Sequence, residues 1–274
     1  MKIKNRGYIF FLILILGSFS FSKNKNQTIV NVENSINENK ETYTEGIFEI
    51  RKNIDEIPEK DKKIGFALGG GSAKGLAHIG VLKVMEEEKV PIEYITGTSM
   101  GSIIGGLYAA GYTIEEIEKI AIEMDWIELF NDKLDRKDKG ITRNLIEDRN
   151  TVALPMEGLI PKLPSGAVGG KTASAKLNEL FYGVLDIEDF RKLPRKFAAV
   201  GTDLNSGEGV MIDKGSIATA IRASLSLPSI YNPVQVDDKL YVDGGVVRNL
   251  PVQDLKVLGA DYTIGINVGE GFEK

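Results

Sequence analysis

The chain has 274 residues, 42% of them hydrophobic and 27% charged, which suits one sizeable globular domain with or without a tail. A formal charge of −5 with no basic stretch argues against a nucleic-acid binder. The lack of cysteine excludes disulfides, thiolate metal sites and a cysteine nucleophile, and the single histidine, His78, narrows the acid–base chemistry open to the chain.

Lys2, Lys4 and Arg6 precede an unbroken apolar run from Tyr8 to Leu16. Gly17–Ser22 then places small residues at alternate positions, with Ser18/Ser20 or Ser20/Ser22 fitting a signal-peptidase site. This order predicts a signal peptide over 1–22 and export through the secretory pathway, to the exterior or the cell envelope. The run is shorter than the roughly 20 apolar residues a spanning helix needs. Losing the three leader cations would take the formal charge from −5 to about −8. Residues 23–62 are rich in Asn, Lys and Glu and bury too little to offset their ordering entropy. They read as a mostly disordered spacer, with a short helix over Glu45–Ile57 limited by Pro58.

From residue 63 to 274 the pattern is that of a folded domain. Ile64–Leu68 is a short apolar run ending in glycines, a buried strand. Gly75–Glu88 follows as a helix by period, then a strand at Ile92–Ile95 and a Gly- and Ala-rich helix at Met100–Ala110. Thr113–Met124 reads as a helix opened by Thr113 and Glu116 as a capping box. Residues 125–176 are polar, contain Pro155, Pro161 and Pro164, and suit a cap or lid. Phe197–Gly201 is a strand, and Val234–Val236 and Leu240–Val242 form a hairpin around Asp237-Asp238-Lys239. Pro251–Leu258 is a helix stopped by Gly259, and Tyr262–Val268 a last strand. Strands alternating with helices predict an α/β fold with a mainly parallel sheet flanked by helices.

Gly97-Thr98-Ser99-Met100-Gly101 fits the G-x-S-x-G elbow, between a strand and a helix. A serine on so sharp a turn needs neighbours nearly free of side chain, and the helix start favours the negative charge that builds during attack. Gly69-Gly70-Gly71-Ser72-Ala73-Lys74-Gly75 also follows a strand and opens a helix, so its backbone N–H groups suit a phosphate or an oxyanion. Counted from Gly69, a dinucleotide fingerprint fails at Lys74, and from Gly70 it fails at Ser72. The order Lys74-Gly75 is wrong for a P-loop. An oxyanion hole from Gly69, Gly70, Gly71 and Ser72 is the better reading. Asp243-Gly244-Gly245 projects an acid from a strand end.

No histidine follows Ser99, so a triad in the order Ser, acid, His is impossible. His78 reads as a packed or loop-bracing imidazole. The base must then be a carboxylate or a lysine. Lys74 lacks the S-x-x-K arrangement, Asp243 emerges from an apolar strand that would raise its pKa, and Asp203 in Gly201-Thr202-Asp203 is its main rival.

The ordered set Gly69–Gly75, His78–Leu82, Gly97–Gly101 and Asp243–Gly245 resembles the patatin-like phospholipase family over about 64–270. The block Arg222–Pro228 resembles one that lines the site in that family. The resemblance implies a three-layer α/β fold, a Ser99–Asp243 dyad without histidine, no metal or cofactor for the chemistry, and cleavage of phospholipids or other acyl lipids at a membrane surface. Where the family usually has glycine, this chain has Ser72. A leader ahead of such a domain also resembles bacterial autotransporters with a patatin passenger, whose barrel these 274 residues do not include.

Other features read more plainly. Ser165–Thr172 nearly spells a P-loop but reads as a loop within the lid. Ser224 and Ser226 lack the flanking glycines of a nucleophile. Trp126, Leu129 and Phe130 suit packing or lipid contact, and Arg248 a salt bridge or a headgroup phosphate.

Overall fold

A computed structural model of the chain describes residues 63–129 and 166–269, with the backbone of the strands at 18–24, 27–33, 156–157 and 160–161. The helix expected over 45–57 lies outside the described residues, as does much of the expected lid.

The strands, in chain order, are β1 (Ser18–Asn24), β2 (Gln27–Glu33), β3 (Ile64–Leu68), β4 (Ile92–Thr98), β5 (Met156–Glu157), β6 (Ile160–Pro161), β7 (Gly166–Val168), β8 (Lys196–Asp203), β9 (Gly209–Ile212), β10 (Ser229–Tyr231), β11 (Val234–Val236), β12 (Lys239–Asp243) and β13 (Tyr262–Asn267). The helices are α1 (Ala77–Glu87), α2 (Met100–Ala109), α3 (Ile114–Glu123), α4 (Trp126–Leu129), α5 (Lys171–Leu180), α6 (Ile217–Ser224) and α7 (Val252–Leu258). Nine strands build one sheet in the order β1-β2-β13-β3-β4-β8-β12-β11, with β9 also on β8. The run from β2 to β8 is parallel, and the outer pairings are antiparallel.

Period-two alternation sorts the strand residues between two cores. Ile64, Phe66 and Leu68 of β3 and Ile95 of β4 join the larger core, with Leu82 of α1, Ile103 and Leu107 of α2 and Ile221 of α6. Ala67 and Tyr94 join the smaller one, with Val252, Leu255 and Leu258 of α7. Helices therefore cover both faces, which makes the three layers and explains why β3 is buried along its whole length.

One feature of the register builds the site. β4 runs parallel to β8 until Thr98 meets Val200. β12 runs antiparallel to β8 from Tyr241 opposite Asp203 to Asp243 opposite Gly201. β9 occupies the other edge of β8, pairing with Ala199 through Thr202. β4 and β12 thus arrive from opposite directions on one edge of β8. Ser99 and Asp243 meet there end to end.

The structure differs from the sequence reading in several places. β2 lies beside β13 within the stretch expected to be a disordered spacer. The expected lid overlaps α5, whose Ala173 and Leu177 are buried in the larger core. β4 continues beyond Ile95 because the buried hydroxyls of Thr96 and Thr98 donate to the carbonyls of Pro251 and Arg248, which removes the cost of burying them. The helix expected from Gly75 opens with a 3-10 turn over Ser72–Leu76. The capping box of α3 has both its bonds, Glu116 N–H to Thr113 Oγ1 and Thr113 N–H to Glu116 Oε2.

Candidate active site

Ser99 sits between β4 and α2 with φ 51 and ψ −123, a left-handed backbone state that a side chain rarely adopts. The turn is tight enough that a Cβ on Gly97 would come within 2.5 Å of the Gly101 carbonyl oxygen, and one on Gly101 would run into the Leu68 carbonyl. The Ser99 N–H donates to Ser224 Oγ at 2.9 Å, and that hydroxyl donates to the Val200 carbonyl at 2.6 Å. Ser224 therefore ties the strained residue to β8. Ser102 Oγ closes the first turn of α2 on the Ser99 carbonyl at 2.6 Å.

Asp243 is only 2% exposed. Its N–H donates to the Ser226 carbonyl at 2.8 Å, its carbonyl accepts from Thr202 Oγ1 at 2.9 Å, and its Oδ1 accepts from the Gly245 N–H at 2.7 Å. Oδ2 is buried without a hydrogen-bond partner. Burial pushes the carboxyl pKa up to about 6, against smaller downward pulls from the Gly245 N–H and the Ser99 hydroxyl. A Cβ on Gly244 would run into the Val200 carbonyl, so the turn after Asp243 also needs its glycine.

The glycine loop lies directly beside Ser99: a Cβ on Gly70 would stand 3.2 Å from that of the serine. Its first two amides are engaged. The Gly69 N–H donates to the Ile266 carbonyl at 3.0 Å and the Gly70 N–H to the Asn249 carbonyl at 3.2 Å. Gly71 and Ser72 open the 3-10 turn, where N–H groups have no partner within the turn itself. Ser72 has φ 49, the left-handed region where glycine is at ease, which gives a physical reason for the glycine expected at this position.

A family model described as patatin-like phospholipase matches residues 66–256, a span that holds the glycine loop, the elbow and Asp243. The chain belongs to the patatin-like phospholipase family. An uncharacterized NTE family protein of Mycobacterium tuberculosis is 30% identical over 206 residues, covering 75% of this chain and 49% of that protein. The lysophospholipase NTE1 of Candida albicans is 29% identical over 209 residues, 76% of this chain and 13% of that protein. The chain thus spans about half the length of the mycobacterial relative and a small part of the fungal one. Among solved structures, VipD from Legionella pneumophila shows 16% identity over 71% of this chain and 47% of that one, with a TM-score of 0.43.

For a patatin-like chain, the remaining sequence candidates take mostly supporting places. His78 is fully buried, donates Nε2–H to the Gly69 carbonyl at 2.7 Å and leaves Nδ1 without a partner. Burial lowers its pKa to about 4, so the ring is neutral near pH 7 and braces the loop. Asp203 accepts from the Asn205 N–H at 2.9 Å and pairs with Lys239 at 3.1 Å, and these contacts lower its pKa. It is committed to the turn after β8 and suits a base poorly. Lys74 lies in the 3-10 turn and donates its N–H to the Gly71 carbonyl. Gly75 packs on Met100 with no room for a methyl group. Arg248 pairs with the buried Asp254 at 2.6 Å. Arg222 is buried, donates to Ser226 Oγ at 2.7 Å and stacks on Tyr231. Gly170, in the near P-loop, starts α5 in a left-handed conformation. Trp126 donates to the Ala121 carbonyl and Leu129 is buried, while Phe130 lies outside the described residues.

Ser224 and Asn249 contact the elbow and the glycine loop, and neither contact follows from local sequence pattern. For Ser224 the one signal in the sequence is its position in the Arg222–Pro228 block. Asn249 lies six residues after Asp243, and nothing in the local pattern marks it. Among the described residues no three His, Asp or Glu side chains converge as metal ligands.

Proposed function

We propose that this chain hydrolyses carboxylic esters of phospholipids or related acyl lipids, with Ser99 as nucleophile and Asp243 as base. The observation that carries the reading is the end-to-end meeting of β4 and β12 on one edge of β8, which brings a strained serine to a buried carboxyl with a pKa near 6. Such a carboxyl is mostly ionised at pH 7 and a stronger base than a solvated aspartate. The chemistry balances as acyl transfer. Asp243 takes the hydroxyl proton as Ser99 Oγ bonds to the acyl carbon, the bond to the leaving alcohol breaks, and Asp243 returns the proton to that alcohol. Water then repeats the sequence on the acyl-serine and releases the fatty acid.

The developing oxyanion falls to Gly71 and Ser72, because the Gly69 and Gly70 amides are already donating elsewhere. Family membership and relatives described as lysophospholipases support a lipid substrate presented at a membrane surface. The leader read over 1–22 supports export, which the N-terminal mass of the cell-free protein checks. The test of the chemistry is fluorophosphonate labelling with peptide mass spectrometry. The adduct is expected on Ser99, with none in Ser99→Ala or Asp243→Asn. Labelling elsewhere, or none in folded wild-type protein, sinks the assignment and leaves a lipid-binding module as the alternative.

A further inference from the structure

The glycine loop is held chiefly from a distance, and one side chain makes the decisive contact. Asn249 Nδ2–H donates to the Gly70 carbonyl at 3.0 Å, while the Asn249 carbonyl accepts the Gly70 N–H at 3.2 Å. Its Oδ1 lies where a Cβ on Gly70 would come within 2.6 Å and one on Gly245 within 3.0 Å. The asparagine therefore fills the gap between the glycine loop and the turn that carries Asp243. His78 holds the preceding carbonyl, that of Gly69, at 2.7 Å.

Peptide geometry turns these contacts into a direction. No peptide bond in the described chain is cis, so the carbonyl and N–H of each unit point opposite ways. In the unit joining Gly69 to Gly70, His78 holds the carbonyl and the Asn249 backbone holds the N–H. In the unit joining Gly70 to Gly71, the Asn249 side chain holds the carbonyl, and the Gly71 N–H must point away from it. Gly70 has no side chain to resist rotation of that unit, so the amide of Asn249 is the lock.

We infer that Asn249 is a positioning residue that aims the Gly71 N–H at the oxyanion, by fixing the carbonyl of the same peptide unit. This rests on the hydrolase reading above and adds a named determinant of its transition-state stabilisation. Asn249 touches no reacting atom. It couples the two halves of the site, since one residue contacts both the loop and the Asp243 turn. An oxyanion donor typically contributes a factor of about 100 to 1,000 in kcat, and misaiming one loses part of that.

The test uses the full chain and two variants, Asn249→Ala and the nearly isosteric Asn249→Asp, whose carboxylate repels the Gly70 carbonyl. With p-nitrophenyl octanoate, kcat is expected to fall about 10- to 100-fold with KM within about threefold of wild type. Affinity for an alkyl trifluoromethyl ketone, which forms a tetrahedral oxyanion on serine, should fall in parallel, while octanoate binds as before. Crystal structures of Asn249→Asp and wild type should differ in the orientation of the Gly70–Gly71 peptide plane. An unrotated plane, or kcat and ketone affinity within threefold of wild type, overturns the inference. So does uniform weakening of ester, ketone and octanoate with a lowered Tm, which would make Asn249 a packing residue. If wild-type protein neither turns over nor labels at Ser99, the hydrolase reading fails, and the peptide plane alone then decides whether Asn249 positions the loop.

Discussion

At the end of β4 the chain turns into α2 through a space with no room for a side chain at Gly97 or Gly101. One strand away, at the end of β3, it turns through Gly69–Gly75, with hydrogen bonds from the His78 and Asn249 side chains and one to the Ile266 carbonyl. Both are strand-to-helix crossings on neighbouring parallel strands, and both carry a residue at positive φ, Ser99 and Ser72. The first is confined by hard-sphere contacts among backbone atoms. The second is also close-packed, with Val268 against Gly71 and Met100 against Gly75, but its carbonyls and amides are fixed by hydrogen bonds to residues distant in sequence. Backbone contacts leave the Ser99 turn intolerant of added side chains, whereas in the glycine loop hydrogen bonds from distant residues decide which way the amides point.

If that contrast is right, Gly101→Ala should have the largest effect on stability. The added methyl group meets the Leu68 carbonyl, and the backbone must move to admit it. A loss of more than about 4 kcal/mol, or failure to fold, is expected from denaturant midpoints. A well-folded Gly101→Ala protein would show that the turn has room for a side chain there.

Asp243→Asn tests the acid that both turns face. A carboxyl whose folded pKa is raised to about 6 favours its neutral form in the native state. Wild-type stability from this group is therefore full below the unfolded value near 4 and is lost as pH rises to about 6. The amide variant escapes that loss. It should be more stable than wild type at pH 8 by up to about 3 kcal/mol, and no more stable at pH 3, while losing all labelling at Ser99. Equal stability at both pH values would show that the carboxyl is not desolvated.

Ser224→Ala comes next, because Ser224 ties the Ser99 backbone to β8. It removes the acceptor of the Ser99 N–H and the donor to the Val200 carbonyl, so about 1–3 kcal/mol should be lost. Fluorophosphonate labelling should slow with it. An unchanged labelling rate would mean that sterics alone hold Ser99. Ser72→Gly should have the smallest effect. Relief of the left-handed backbone offsets the entropy glycine adds to the unfolded chain, leaving stability within about 1 kcal/mol of wild type and activity unchanged.

Local pattern made the β3–α1 and β4–α2 crossings, the capping box of α3 and the β11–β12 hairpin legible. Each depends on residues a few positions apart whose chemistry acts at short range. The pattern failed where a distant partner changes the meaning of a residue. Thr96 and Thr98 look like the end of a strand until the Pro251 and Arg248 carbonyls accept their hydroxyls. The amides of Gly69 and Gly70 look free for an oxyanion until Ile266 and Asn249 take them. α5 looks like part of a proline-rich lid until Ala173 and Leu177 are buried.

Composition and short spacings suffice for the alternating strand–helix order, the glycines that a strained serine requires, and the exclusion of a Ser-acid-His triad. Which aspartate faces Ser99 depends on long-range strand pairing. Asp203 and Asp243 both end strands, but β12 runs antiparallel to β8 and stops where β4 stops, so Asp243 arrives at the serine while Asp203 is held by Lys239 and its own turn. Register along a shared strand is a long-range property, and no window of the sequence contains it.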